Sequence, residues 1–157
     1  MEQESLLTGI EYNPILASMG KRFLNYLLDL IVFYVIMFLL GILLATQIYE
    51  WRLETDETTA TLKIELIAIF IMLLYYFLCE AFSKGRTIGK FVTGTKVVNE
   101  DGTAITINTA LLRTLCRLVP FEPLSTFGGR PWHDKWTRTY VIDVKQTALN
   151  NPVYEQL

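Results

Sequence analysis

The chain has 157 residues, 52% of them hydrophobic, and a formal charge of −2. That apolar share is high for a soluble domain and suits membrane spans joined to a polar remainder. The net charge says little about partners because the charges are segregated along the chain, and nucleic acid is not expected among them.

Residues 1–13 are polar and read as a tail. Asn13-Pro14 has the form of a helix start, with Asn as cap and Pro at the first helical position. Ile15, Leu16, Met19, Phe23, Tyr26 and Leu27 then recur at helical spacing, opposite Ser18, Lys21 and Asn25. This pattern predicts a short amphipathic helix on the inner membrane surface that bends at Gly20 into a first span. The apolar runs Leu27–Ile48 and Ile64–Phe82 each come to about 20 residues, enough to cross a hydrocarbon core of roughly 30 Å as helices. The first reads as a span rather than a signal peptide. Its core is longer than a typical h-region, and Leu44-Ala45-Thr46-Gln47 makes a poor cleavage site.

Lys and Arg near the spans set the expected orientation. Lys21 and Arg22 precede the first span, and Lys84, Arg86, Lys90 and Lys96 follow the second. The connecting loop Tyr49–Thr61 carries only Arg52, among Glu50, Glu54, Asp56 and Glu57. Both termini are therefore expected in the cytoplasm, with a short acidic loop outside. Cys79 and Cys116 read as two reduced thiols rather than a disulfide.

Residues 84–142 form the expected cytoplasmic half, and 143–157 a polar, solvated tail. Phe91–Val98 and Thr103–Ile107 are rich in Val, Thr and Ile and flank the turn Asn99-Glu100-Asp101-Gly102, which predicts a β-hairpin. Ala110–Val119 reads as a helix capped by Asn108 and ended by Pro120. Its apolar residues cover most of the circumference and leave Thr109, Arg113 and Arg117 as a narrow polar stripe. Such a helix belongs at the membrane interface or wedged against the spans.

Gly85-Arg86-Thr87-Ile88-Gly89-Lys90 looks superficially like a phosphate loop, but has three residues between its glycines and Phe91 after the lysine. It reads instead as a basic turn leaving the membrane. His133 is the only histidine and lacks companions at metal-ligand spacing. No serine or cysteine has an evident base partner. No enzyme, cofactor or metal is expected.

Each apolar run carries one acid just inside its cytoplasmic end: Asp29 in the first, Glu80 in the second. Lipid solvates carboxylates badly, so such groups face protein, water or an ion. Arg22 lies seven residues before Asp29, roughly 10 Å along a helix. At an effective dielectric of about 20 that attraction is only about 1–2 kcal/mol, so Asp29 needs another partner. Asp29 and Glu80 lie at similar depths on antiparallel helices. They could form a joint cation or proton site, or each could be neutralised by an arginine from the cytoplasmic half. For Glu80 near the interface, snorkelling to water is the favoured reading. Arg113 and Arg117 repel each other at spacing four unless anions lie nearby, either lipid phosphate or one of these carboxylates.

The run Lys21-Arg22-Phe23-Leu24-Asn25-Tyr26-Leu27-Leu28-Asp29 resembles the opening of the RDD family of integral membrane proteins. Gly85–Lys90, Gly94, Val97-Val98 and Asp101-Gly102 are similar to the segment after that family's second span. Leu112-Arg113, His133-Asp134-Lys135, Thr139 and Val141 resemble its closing portion. The likeness runs over about residues 15 to 142 and places the family's named arginine and two aspartates on Arg22, Asp29 and Asp134. It implies a small, mostly bacterial protein of two or three spans in the cytoplasmic (inner) membrane. Cation/proton antiport is attributed to some members, and others look like scaffolds.

The expected fold is mostly α: a two-span helical hairpin in one membrane domain (14–142), with an N-terminal amphipathic helix, a small cytoplasmic β-hairpin and an interfacial helix. The leading functional expectation is movement of a cation, proton or small solute. Two spans cannot enclose a pathway alone, so a homo-oligomer or a larger membrane complex is expected. Asp29 would carry the ion, while Arg22 and Asp134 would tune it and Glu80, Arg113 and Arg117 would complete the charge network. The alternative is a non-catalytic scaffold or assembly subunit in which the same charges pair within the fold.

Overall fold

Two long helices dominate the fold: α1 over Met19–Leu43 and α3 over Glu57–Phe82, joined by the short helix α2 at Ala45–Glu54. The computed structural model describes residues 14–119, 125 and 129–150. Both long helices are long and apolar enough to cross a membrane, and only 6% of the most apolar stretch of each is buried within the protein. The expected tail 1–13 and the cap Asn13 lie outside the described residues, as do Pro120 and residues 151–157.

The first span starts differently from the expectation. No amphipathic helix begins at Pro14; residues 14–18 are non-helical, and α1 opens at Met19 with the Ser18 hydroxyl accepting from the Lys21 N–H at 3.3 Å. Pairing with a distant strand is the cause. The Ala17 N–H donates to the Val141 carbonyl and the Asp143 N–H to the Ile15 carbonyl, each at 2.9 Å. Backbone bonds made across the fold override the local helical periodicity.

After α3, residues 83–87 lead into α4 (Ile88–Thr93), which ends at Gly94 in the left-handed conformation (φ 69°). Strand β1 (Thr95–Asn99) follows, then α5 (Ile107–Cys116), α6 (Trp132–Trp136), β2 (Thr139–Asp143) and α7 (Val144–Asn150). The expected hairpin is corrected here. Phe91–Thr93 is helical, and β1 pairs antiparallel with β2, Thr95 opposite Asp143 and Asn99 opposite Thr139. Of the hairpin there remain the turn, with Asn99 N–H donating to Thr103 at 3.0 Å, and a single bridge from Val98 to Ala104. Tyr140-Val141-Ile142 offers the better partner because Val141 and Ile142 join Val97 and Val98 in burial.

Two further boundaries move. Helix α5 opens at Ile107 with Thr106 as cap, not Asn108, and reaches Cys116. The segment after Asp143 is not simply a solvated tail. Its first seven residues form α7, and the Thr147 hydroxyl accepts from the Ile15 N–H at 3.1 Å.

Apolar burial is slight. Ala17, Val97 and Val141 make a small cluster with Ile105 against it. The largest fully buried side chains include Arg113, Glu80 and Asp134. Helix α5 turns its polar stripe inward, with Arg113 wholly buried, while Leu111, Leu112 and Leu115 face outward. That is the inverse of a water-soluble helix and suits a wall of lipid or protein.

Candidate functional site

The polar cap docks on the spans through the carboxylate of Asp29. Its Oδ1 accepts from the Tyr75 hydroxyl and from the Gly89 N–H, each at 2.8 Å, and its Oδ2 accepts from the Thr87 hydroxyl at 2.7 Å. Thr87 works twice: its hydroxyl also caps α4 by accepting from the Lys90 N–H at 3.4 Å. Gly89 is there because α4 comes very close to α1. A Cβ at this position would stand 2.5 Å from the Asn25 carbonyl oxygen and 3.0 Å from Asp29 Oδ1. One turn before Asp29, the Asn25 amide lies among Thr93, Thr95 and the Gly89 carbonyl. Its oxygen faces the Thr95 hydroxyl and its nitrogen faces Gly89 in the orientation that satisfies both.

A second cluster surrounds Glu80, which is fully buried. Lys90 Nζ and Arg117 Nη2 each stand 2.7 Å from Oε1, and Arg113 Nε stands 2.9 Å from Oε2. Arg113 reaches onward to Asp134 Oδ1 at 2.6 Å and to the Thr139 hydroxyl. Arg22 Nη1 lies 3.6 Å from Asp134 Oδ2, and its Nε donates to the Ala17 carbonyl at 3.0 Å. His133 Nε2 is 3.4 Å from Asp134 Oδ1. A chain of alternating charge thus runs from the end of α3 through α5 and α6 to the start of α1.

Burial alone would raise the Asp134 carboxyl, but Arg113 beside it, with His133, holds it below its ordinary value. For Lys90, burial is the largest influence and lowers its ammonium; Arg113 and Arg117 add to this against the opposing pull of Glu80. Asp143, which bonds Lys21 Nζ at 2.5 Å, is held low by that contact and by the Gln146 N–H despite its burial.

All six expected site residues lie at the cap end of the spans, but not as one centre. Arg22 meets Asp134, while Asp29 touches neither Arg22 nor Glu80. Glu80 does not snorkel to water; three cations enclose it, so the expectation for it is corrected. Both Arg113 and Arg117 take the carboxylate alternative. Sequence reasoning missed Tyr75, Thr87, Gly89 and Lys90. The Thr87-Ile88-Gly89-Lys90 run held a usable signal, a capping hydroxyl followed by a glycine inside a helical start, just where the chain leaves a span.

Residues 16–142 match the RDD family. The chain belongs to that family. This RDD protein is also 36% identical over 109 residues to YxaI of Bacillus subtilis (strain 168), described as uncharacterized, across 62% of this chain and 72% of that protein. No solved structure matches it. The RDD match begins at Leu16, where the chain joins β2, and closes at Ile142 within that strand, so it encloses both spans and both charge clusters.

Proposed function

We propose that this RDD protein is a non-catalytic assembly subunit of a bacterial cytoplasmic membrane, with both ends of the folded domain on the cytoplasmic side. Its buried charges lock the cap onto the spans, and the outward faces of the spans engage another membrane protein or a second copy. The observation that carries this reading is the bonding of Asp29. Both oxygens already accept from donors of the fold, so the carboxylate is stabilised without a bound ion. The nearly bare span surfaces support the second half of the proposal.

Movement of a cation, proton or small solute through an oligomer is the second reading. One observation favours it: Asp29 also lines a cavity between the spans. Purified protein in liposomes separates the two. The assembly reading expects proton and monovalent-cation flux no greater than in empty vesicles. Flux that follows protein density and collapses in a well-assembled Asp29→Asn variant would establish the carrier reading instead.

A further inference from the structure

A cavity of about 460 Å³ opens between α1 and α3. Its wall is apolar, built by Phe23, Leu30 and Phe33 from one span and Met72 and Tyr76 from the other. Its polar end holds Arg22, Lys90 and Arg117. Arg22 and Phe33 are eleven residues apart on α1, roughly 16 Å of rise, which is close to half of a hydrocarbon core of about 30 Å. The groove therefore extends from headgroup level to about the middle of a bilayer.

The polar end is unbalanced. Around it four cations (Arg22, Lys90, Arg113, Arg117) face three carboxylates (Asp29, Glu80, Asp134). Asp29 has both oxygens occupied by donors of the fold. The Arg117 side chain is nine-tenths buried, with its guanidinium 4.3 Å from the Tyr76 ring centroid. Its Nη2 is held by Glu80, while its Nη1 is buried without a hydrogen-bond partner. Asp134 also lines this end, fully buried, with its Oδ2 paired to Arg22 Nη1 at 3.6 Å. An orphaned guanidinium donor thus flanks one apolar channel.

We propose that the groove binds an anionic phospholipid, with the phosphate at Arg117 and one acyl chain along the Phe23–Phe33 wall. A guanidinium is suited to phosphate oxygens, and the positive excess matches a single negative headgroup. The groove's length matches one leaflet's chain, which favours a lipid over a free phosphate ion.

Native mass spectrometry of the full-length protein in a neutral detergent tests this, with dioleoylphosphatidylglycerol, dioleoylphosphatidylcholine and inorganic phosphate as probes. Retention of the glycerol lipid should exceed that of the choline lipid by about tenfold, the worth of one charge-assisted hydrogen bond. Arg117→Gln should bring the two lipids level. Leu30→Trp should block both lipids by filling the wall while leaving every charge in place and thermal unfolding unchanged, so the test survives if the arginine variant fails to fold. Equal retention of the two lipids by the unaltered protein would overturn the proposal. So would phosphate binding that equals the lipid's and ignores Leu30→Trp, which assigns the site to the free ion, or lipid-free dimers lost in Leu30→Trp, which assigns the groove to a second copy.

Discussion

Arg113 Nε stands 2.9 Å from Glu80 Oε2, with both side chains wholly shut from solvent. The second span and the cap meet through this pair, and the same guanidinium continues to Asp134. Desolvating such groups is expensive, and mutual pairing recovers that cost only while every partner is present. Arg113→Met should therefore take a shared partner from two buried carboxylates and cost about 3–5 kcal/mol in thermal unfolding followed in micelles. Adding Glu80→Gln to that variant should recover part of the loss. Recovery stays partial because Lys90 and Arg117 then lose their anion. A double variant no more stable than Arg113→Met alone would contradict the pairing.

Asp29 is held by neutral donors, which predicts a graded series. Tyr75→Phe and Thr87→Val should each cost about 1–3 kcal/mol, the penalty for leaving a buried polar group short of a partner. Gly89→Ala should be worse than Tyr75→Phe, because its Cβ meets the Asn25 carbonyl, a backbone atom that cannot step aside. Thermal unfolding of the three variants gives the order. A harmless Gly89→Ala would mean that α4 does not approach α1 as closely as described.

Asp134 supplies a pH dependence with a definite sign. Its folded carboxyl lies below the ordinary value of 3.8 because Arg113 and His133 outweigh its burial. A lowered folded pKa contributes stability that is fully present above the unfolded value and is lost as pH falls through the folded one. The stability gap between the natural protein and Asp134→Asn should thus be wide at neutral pH and narrow below about pH 4, read from unfolding midpoints across that range. A gap independent of pH would rule out a charged Asp134.

The proposed orientation has its own check. A cysteine at Thr58, exposed near the start of α3, should react with an impermeant thiol reagent added outside intact cells, and one at Thr103 in the cap should not. The reverse labelling pattern would invert the assignment.

What the sequence made legible was local. The spans announced themselves as long apolar runs, and Asp29 and Glu80 stood out because acids are rare there. Arg113 and Arg117 were legible as a pair in search of an anion. The contacts that decide the site were not. Tyr75 and Thr87 lie 46 and 58 positions from Asp29, and β2 pairs with a strand some 44 residues earlier, separations that leave no mark in periodicity. Residues 14–18 were misread for the same reason: their pattern is helical, but Val141 and Asp143 offer backbone bonds that no local pattern contains. Glu80 was misplaced because its neighbours in sequence are apolar or solvent-facing, whereas its three cations arrive from α4 and α5.

The stability of Asp29→Asn decides whether this carboxylate locks the cap onto the spans. The substitution keeps size but turns one acceptor into an amide donor facing the Gly89 N–H or the Thr87 hydroxyl. If the Asp29 carboxylate locks the cap onto the spans, this variant should unfold with a loss of about 1.5–3 kcal/mol, the worth of hydrogen bonds to a charged group. Thermal unfolding in micelles, with hydrogen exchange of the Gly89 amide followed in parallel, gives the answer. Early unfolding together with a deprotected Gly89 is the predicted result; an Asp29→Asn protein as stable as the natural one, with Gly89 still protected, would contradict it.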